Sequence, residues 1–522
     1  MVTITEDRRN ELSTWHQTGP YPVTSRWVLR QQGPEGFTLH NESVLKVQEL
    51  LAQCNKRGQR FRAYGSLWSL NDIAFNGGWV LNNTDMDMRL ALTPGNMHSE
   101  SALTHDNLVF VQCGTTVNQL TSYLEGRGKS LKVSGGSNGQ TIAGATSTGV
   151  HGGAFDRQCL SDYIAGMHLI IGDAPGDRIY LERASEPVLN DEFAQMLGSR
   201  IVCDDDVFNA AIVGLGSFGF IAAIVMEVED IFSLRRYVRS IKYNDAILLS
   251  QTLDFENSDF KITGEVDAHN KPIRPFHFKT YINQFTKDCV AEIIYKIPYQ
   301  NTVYPEAEIS SQLHPDLFRL MRWALEKSEM KVTNLLTRLI QGTAMPNPGK
   351  NTTPLVGTLG DIFRSVSYQQ PGFSWALGVN QSQLDRAIET WLGIFKHHKA
   401  PGLSAIKLVR KTNATLGFHK FPVTAVIHMD GVQWLPTGDQ LRVQQEILKA
   451  FIRDGIDFTL HWGKNAAWDY PSLMEFMYPT EKDEWIKQRS RLLRPEMAAM
   501  FSNDFLKRLG LDAYVNDLEA IV

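Results

Sequence analysis

The residues from Lys132 to Gly153, KVSGGSNGQTIAGATSTGVHGG, hold seven glycines and six serines or threonines in twenty-two positions, with His151 near the end. Glycine lets main chain approach a bound group with no Cβ in the way and adopts positive φ readily. Hydroxyls and successive N–H groups can in turn surround a phosphate. The composition suits a cradle for a nucleotide, against the alternative of a plain glycine-rich surface loop. A second segment answers the first: Arg62 to Asn71, RAYGSLWSLN, reads as a tight turn off a strand at Tyr64-Gly65-Ser66.

The surrounding pattern supplies elements to position these turns. Val44 to Cys54 has helical spacing of Leu45, Val47, Leu50 and Leu51, and Trp79-Val80-Leu81 is strand-like. Leu108 to Gly114 reads as an apolar strand ending in glycine, and Thr116 to Lys129 as a helix with Val117, Leu120 and Leu124 on one face. Together they predict an α+β nucleotide-binding lobe. Gly214, Gly216 and Gly219 spell a dinucleotide fingerprint, G-x-G-x-x-G, which in a Rossmann unit opens a helix. Here Phe220 to Val228 reads as a strand leaving the turn, which argues against nicotinamide binding. Asp204-Asp205-Asp206 invites a metal reading but precedes Val207 to Ala211, so it is expected to cap a helix N-terminus.

The order of four segments carries a resemblance: Gly65 to Ser69, Val111 to Thr115, Gly139 to Gly144, and Ser147 to Gly152. It resembles the PCMH-type FAD domain of the vanillyl-alcohol oxidase superfamily, most closely the aldonolactone and alditol oxidase branch. Gly214 to Phe220 is similar to the glycine turn closing that domain, and His461-Trp462-Gly463-Lys464 to a motif near the C-terminus of the sugar-lactone and polyol oxidases. The resemblance implies an α+β chain in three parts. Residues 20–230 form a two-subdomain FAD-binding domain, 231–460 an α+β substrate cap, and 461–522 a segment returning to the flavin.

FAD contacts are expected from Tyr64, Gly65, Ser66, Leu67, Trp68, Ser69 and Leu70, then from Gly135, Gly136, Ser137, Thr141, Gly144 and Ala145. Thr148, Gly149, His151, Gly152, Phe220 and Ile221 complete the set, with His151 near the pyrophosphate or ribityl chain. Relatives tether FAD through a histidine in a Gly-Ser-Gly-His-Ser turn, where this chain has Leu67 and Trp68. The cysteine tether just before the second glycine segment is also missing, so FAD is expected to bind without a covalent link.

Taking hydride from a hydroxyl-bearing carbon to flavin N5 needs a base for the hydroxyl proton and positive charge near the flavin N1–C2=O. The lactone and polyol oxidases use a Glu-x-Arg pair where this chain has Ala405-Ile406-Lys407. His428, Lys464, His461 and Lys407 are the catalytic candidates, with Arg410 behind them. The small Gly135 and Gly136 beside the expected C4a–N5 edge favour O2 as acceptor. The alternative is oxidation, oxidative cyclisation or lyase chemistry on a bulky sterol or natural product. It is favoured by the missing Glu and by nine aromatics, Phe363, Tyr368, Phe373, Trp375, Trp391, Phe418, Phe421, Trp434 and Trp462. A binding protein that kept the fold without catalysis is the third reading.

At 522 residues and 43% hydrophobic, the chain supports two or more domains. A net charge of −5 and scattered Lys and Arg give no footprint for nucleic acid. Five unpatterned cysteines indicate neither a zinc site nor a disulfide framework. With no apolar run long enough to span a membrane and no secretion signal, a cytoplasmic protein acting on a small molecule is expected.

Overall fold

The computed structural model describes residues 1–304, 315–329, 331–344, 348, 353–364, 372–433 and 437–521. Its fold is α+β, built on three main sheets. In the first, Ser25–Gln31, Trp79–Asn82 and Phe61–Tyr64 run parallel, with Val2–Asp7 added antiparallel at one edge. The helix Phe37–Lys56 makes the crossover between Ser25–Gln31 and Phe61–Tyr64 and buries Leu39, Val44, Val47, Leu51 and Cys54. Leu45, counted with that face by spacing, is exposed instead. The second sheet is centred on Phe220–Asp230, which pairs antiparallel with Leu108–Gln112, Ile164–Ile170 and Lys129–Leu131. The glycine turn before Phe220 therefore opens a strand and not the helix of a Rossmann unit.

Two local expectations are refined. The helix after Thr116 spans Val117–Glu125 only, because Lys129–Leu131 leaves to pair in the sheet. Asp204 caps the helix Asp205–Ala211 by accepting from Val207 N at 2.9 Å, and its other oxygen pairs with Arg491 at 2.8 Å. Among the described residues no group of His, Cys, Asp or Glu is arranged to hold a metal. Asp204→Ala is expected to cost about 1–2 kcal/mol, read as a lower melting temperature that a chelator does not reproduce in the parent.

The third sheet forms the wall over the first two. Its order is Leu355–Thr358, Phe232–Ile241, Cys289–Pro298, His277–Ile282, Gly402–Arg410, Val423–Val432, Gly372–Asn380 and Phe458–Leu460. One face packs on helices through Trp375 and Trp391, stacked at 4.8 Å with Phe395 against them. The other face carries the polar residues considered below. Two further helices are Pro315–Lys327 and Thr333–Ala344. Among the described residues no helix is long and apolar enough to cross a membrane.

Candidate active site

The turn after Tyr64 is the first structural requirement. A Cβ on Gly65 would stand 2.2 Å from Thr141 Oγ1, so glycine alone lets this turn meet the N-terminus of helix Ile142–Ser147. Trp15 N donates to Leu67 O at 2.7 Å, and the Trp68 indole stacks on Trp15 with ring centroids 5.3 Å apart. Trp68 also fills the space beside Gly139, where a Cβ would come within 2.4 Å of the ring. Position 68 is thus a packed indole. The loop is tied to the C-terminal part of the chain: Leu70 N donates to Gly463 O at 2.9 Å and Asn71 Nδ2 to Trp462 O at 2.7 Å.

These contacts enclose a cavity of about 450 Å³. Its wall runs from Arg62 and the 64–70 turn, past Gly135, Gly136, Ser137, Thr141, Gly144, Thr148 and His151, to Phe220 and Ile221. The third sheet closes it with Lys407 and His428, and the C-terminal segment with His461 and Lys464. Ala145, Gly149 and Gly152 are not lining residues, and Gly152 lies against Ser134 O instead. His151 is buried, with Nδ1 2.9 Å from Gly152 O and its ring against His419 and His461. Arg410 is not in the wall.

Among the described residues, four lining side chains carry polar atoms that are buried and have no partner: Arg62 Nε and Nη2, Asn83 Oδ1, Gln140 Oε1 and His428 Nε2. Burial, with Arg489 and Arg60 nearby, pushes the Arg62 pKa down to about 9. A buried guanidinium without a carboxylate is costly unless an anion meets it. With the glycine cradle beside it, the Arg62 guanidinium fits a dinucleotide pyrophosphate, while the Asn83 and Gln140 oxygens can only accept a hydrogen bond. Sequence reading missed Arg62 because one arginine in a short strand carries no pattern. It also missed His16, which precedes the expected domain start and reaches the wall 5.6 Å from the Trp68 ring.

The polar end of the cavity is organised by strand register. Ala405 and Ala376 flank His428 on the neighbouring strands, and Ser374 flanks Asp430, so these side chains share one sheet face. His428 Nδ1 lies 3.0 Å from Asp430 Oδ2, while Nε2 is shielded from water and has no partner. Asp430 accepts a second hydrogen bond from Ser374, whose Oγ accepts one from Lys464 Nζ at 2.6 Å. Asp430, half open to the cavity yet ringed by cations, is held well below the usual carboxylate range: His428 and Lys464 outweigh its burial. Burial pushes His428 down to about 4, against the opposing pull of Asp430. His461 is held low by burial and then by Lys464, and its Nδ1 accepts from Gly463 N at 3.1 Å, so it braces its own turn. Asp430, Ser374 and Lys279 escaped sequence reading, since only register brings them to His428.

The comparisons agree with this architecture. Residues 38–175 match the family described as FAD binding domain. An L-gulono-1,4-lactone dehydrogenase of Mycobacterium tuberculosis is 27% identical over 216 residues, 41% of this chain and 43% of that protein. A long-chain alcohol oxidase from an uncultured marine euryarchaeote is 30% identical over 195 residues, covering 36% of this chain and 34% of the other. The chain thus spans well under half the length of these relatives. In structure, cholesterol oxidase from B. sterolicum superposes with a TM-score of 0.68 at 12% identity, over 97% of each chain. A solvent-stable cholesterol oxidase superposes at 0.66 and 13% identity over 98% of each. Residues 38–175 thus carry an FAD binding domain.

Proposed function

We propose that the protein is an FAD-dependent oxidoreductase that takes hydride from a hydroxyl-bearing carbon, with His428 as base and O2 as the electron acceptor. The observation that carries this reading is the His428–Asp430 pair, whose histidine lines a cavity shared with the glycine cradle and keeps an unpartnered Nε2. Arg62, the 64–70 turn and Gly135 to Thr148 would hold the cofactor, which when bound supplies the hydride acceptor. Nδ1–H donation to Asp430 sets the tautomer that leaves the Nε2 lone pair for the substrate hydroxyl proton. Asp430 then faces the imidazolium formed, and Ser374 and Lys464 hold Asp430 in place. Lys464 also places positive charge beside the cavity, as hydride transfer to a flavin requires.

The bulky-ligand alternative loses its main support. Of the nine aromatics behind it, only Phe373 is in the cavity wall among the described residues. Trp375, Trp391, Phe418 and Trp462 are fully buried core, while Tyr368 and Trp434 lie outside the described residues. Anaerobic mixing with an alcohol substrate is expected to bleach the visible flavin band, and air alone to restore it. Recovery only with an added dye would make the protein a dehydrogenase. Because Trp68 is locked between Trp15 and Gly139, acid precipitation is expected to release FAD to the supernatant. Colour kept in the pellet but lost in His16→Ala would locate a tether at His16.

A further inference from the structure

Lys279 and Lys407 stand directly opposite each other on neighbouring strands, His277–Ile282 and Gly402–Arg410. Like charges in that relation destabilise a sheet, and a low-dielectric surrounding makes the repulsion worse. The usual remedy is a carboxylate between them, and the candidates are already engaged. Glu292, opposite Lys279 on its other side, is taken by Arg236 at 2.6 Å and lies 3.4 Å from His277 Nε2. Asp430 pairs with His428 and stands 4.0 Å from Lys464. Among the described residues neither Lys279 nor Lys407 has a carboxylate within ion-pair distance, and Lys279 rests 3.9 Å from the Tyr281 ring centroid.

We propose that Lys279 and Lys407 form a subsite for the carboxylate of the substrate, and that the substrate is therefore a hydroxy acid. The inference rests on the proposed oxidoreductase reading and names the substrate class of that same site. Both lysines line the cavity that holds His428 and Asp430. Ala405, the residue paired with His428, lies on the same strand face two positions from Lys407 and adds no charge. A carboxylate bridging the two ammonium groups thus leaves a neighbouring hydroxyl within one residue pair of His428. Gly136 lies in front of Lys407, where a Cβ would make ordinary contact with Nζ at 3.7 Å. Burial and Lys279 lower the Lys407 pKa to about 7, so an anion seated there also holds Lys407 in its charged form.

The test uses the FAD-loaded protein and matched ligands that differ only in the carboxylate: glycolate against ethylene glycol, D-gluconate against D-glucitol, and mandelate against 1-phenylethanediol. Each is titrated under anaerobic conditions at low and high salt, following the flavin spectrum and the melting temperature. At least one acid is expected to bind about tenfold or more tighter than its alcohol counterpart, to raise the melting temperature, and to lose affinity with salt. In Lys407→Met and Lys279→Met the preference falls to within about twofold while FAD content stays unchanged. Two variants guard against one failing to fold. No acid preferred in the parent, or a preference surviving both variants, overturns the proposal. If both variants weaken acids and alcohols alike, the lysines serve the cofactor, which also overturns it. A protein that takes up no FAD would instead sink the oxidoreductase reading.

Discussion

His428→Asn is expected to slow flavin reduction by about 10² to 10⁴-fold, with ligand affinity nearly unchanged. Asparagine can keep a donor toward Asp430 but offers no lone pair where Nε2 stands, so the variant removes proton acceptance and little else. Asp430→Asn is expected to give a smaller loss, because it leaves the imidazole and releases only its tautomer and orientation. The pH profile supplies an independent check. His428 must be neutral to accept the proton, and its pKa is pushed down to about 4 by burial. Asp430 opposes that shift, while Lys407 and Lys279 on the facing strands add to it. The rate should therefore hold from neutral pH down to about 4 and fall only below that value. A limb at the ordinary histidine value, with an unaltered rate in His428→Asn, would transfer the role of base to another residue. Lys407 is the next group to test, since burial and Lys279 lower its pKa to about 7.

Gly65→Val is expected to weaken FAD binding by about 10- to 100-fold, the steric penalty of overpacking. A Cβ at this position would overlap Thr141, 2.2 Å from Oγ1 and 2.3 Å from Cγ2. Either the 64–70 turn or the start of helix Ile142–Ser147 must move, and both line the cavity. Flavin content after purification, and FAD titration of the stripped protein, read this directly. Far-ultraviolet circular dichroism should stay near that of the parent, because the overlap is local and both sheets keep their hydrogen bonds. Full flavin occupancy in the variant would place the cofactor elsewhere. A Gly136→Ala control meets only Lys407 Nζ at 3.7 Å and should load normally.

The half proposed to hold the cofactor was legible in the chain because its determinants are local. Gly65, Gly135 and Gly136 mark places where backbone must approach something closely, and turns of this kind are written in consecutive residues. The capping of Asp205–Ala211 by Asp204 and the strand character of Phe220–Asp230 were likewise local, so a metal reading and a Rossmann reading could both be set aside.

The proposed catalytic half was only partly legible. His428 drew attention as a histidine in an apolar strand, but its partner Asp430 is identified as such only when the side chains on one sheet face are known. Ser374 and Lys464 come from residues 56 positions before and 34 after Asp430 in the chain, and Lys279 and Lys407 are 128 apart. Antiparallel register joined them, and register is set by the whole hydrophobic pattern of the eight-stranded sheet. The aromatics illustrate the converse: a count of rings near the site suggested a large apolar ligand, yet burial assigned most of them to the core. The sequence by itself therefore determined the nucleotide cradle and the α+β class, through residues adjacent in the chain. Only the tertiary structure decided which charges face one another across the strands, because electrostatic pairing depends on distance in space.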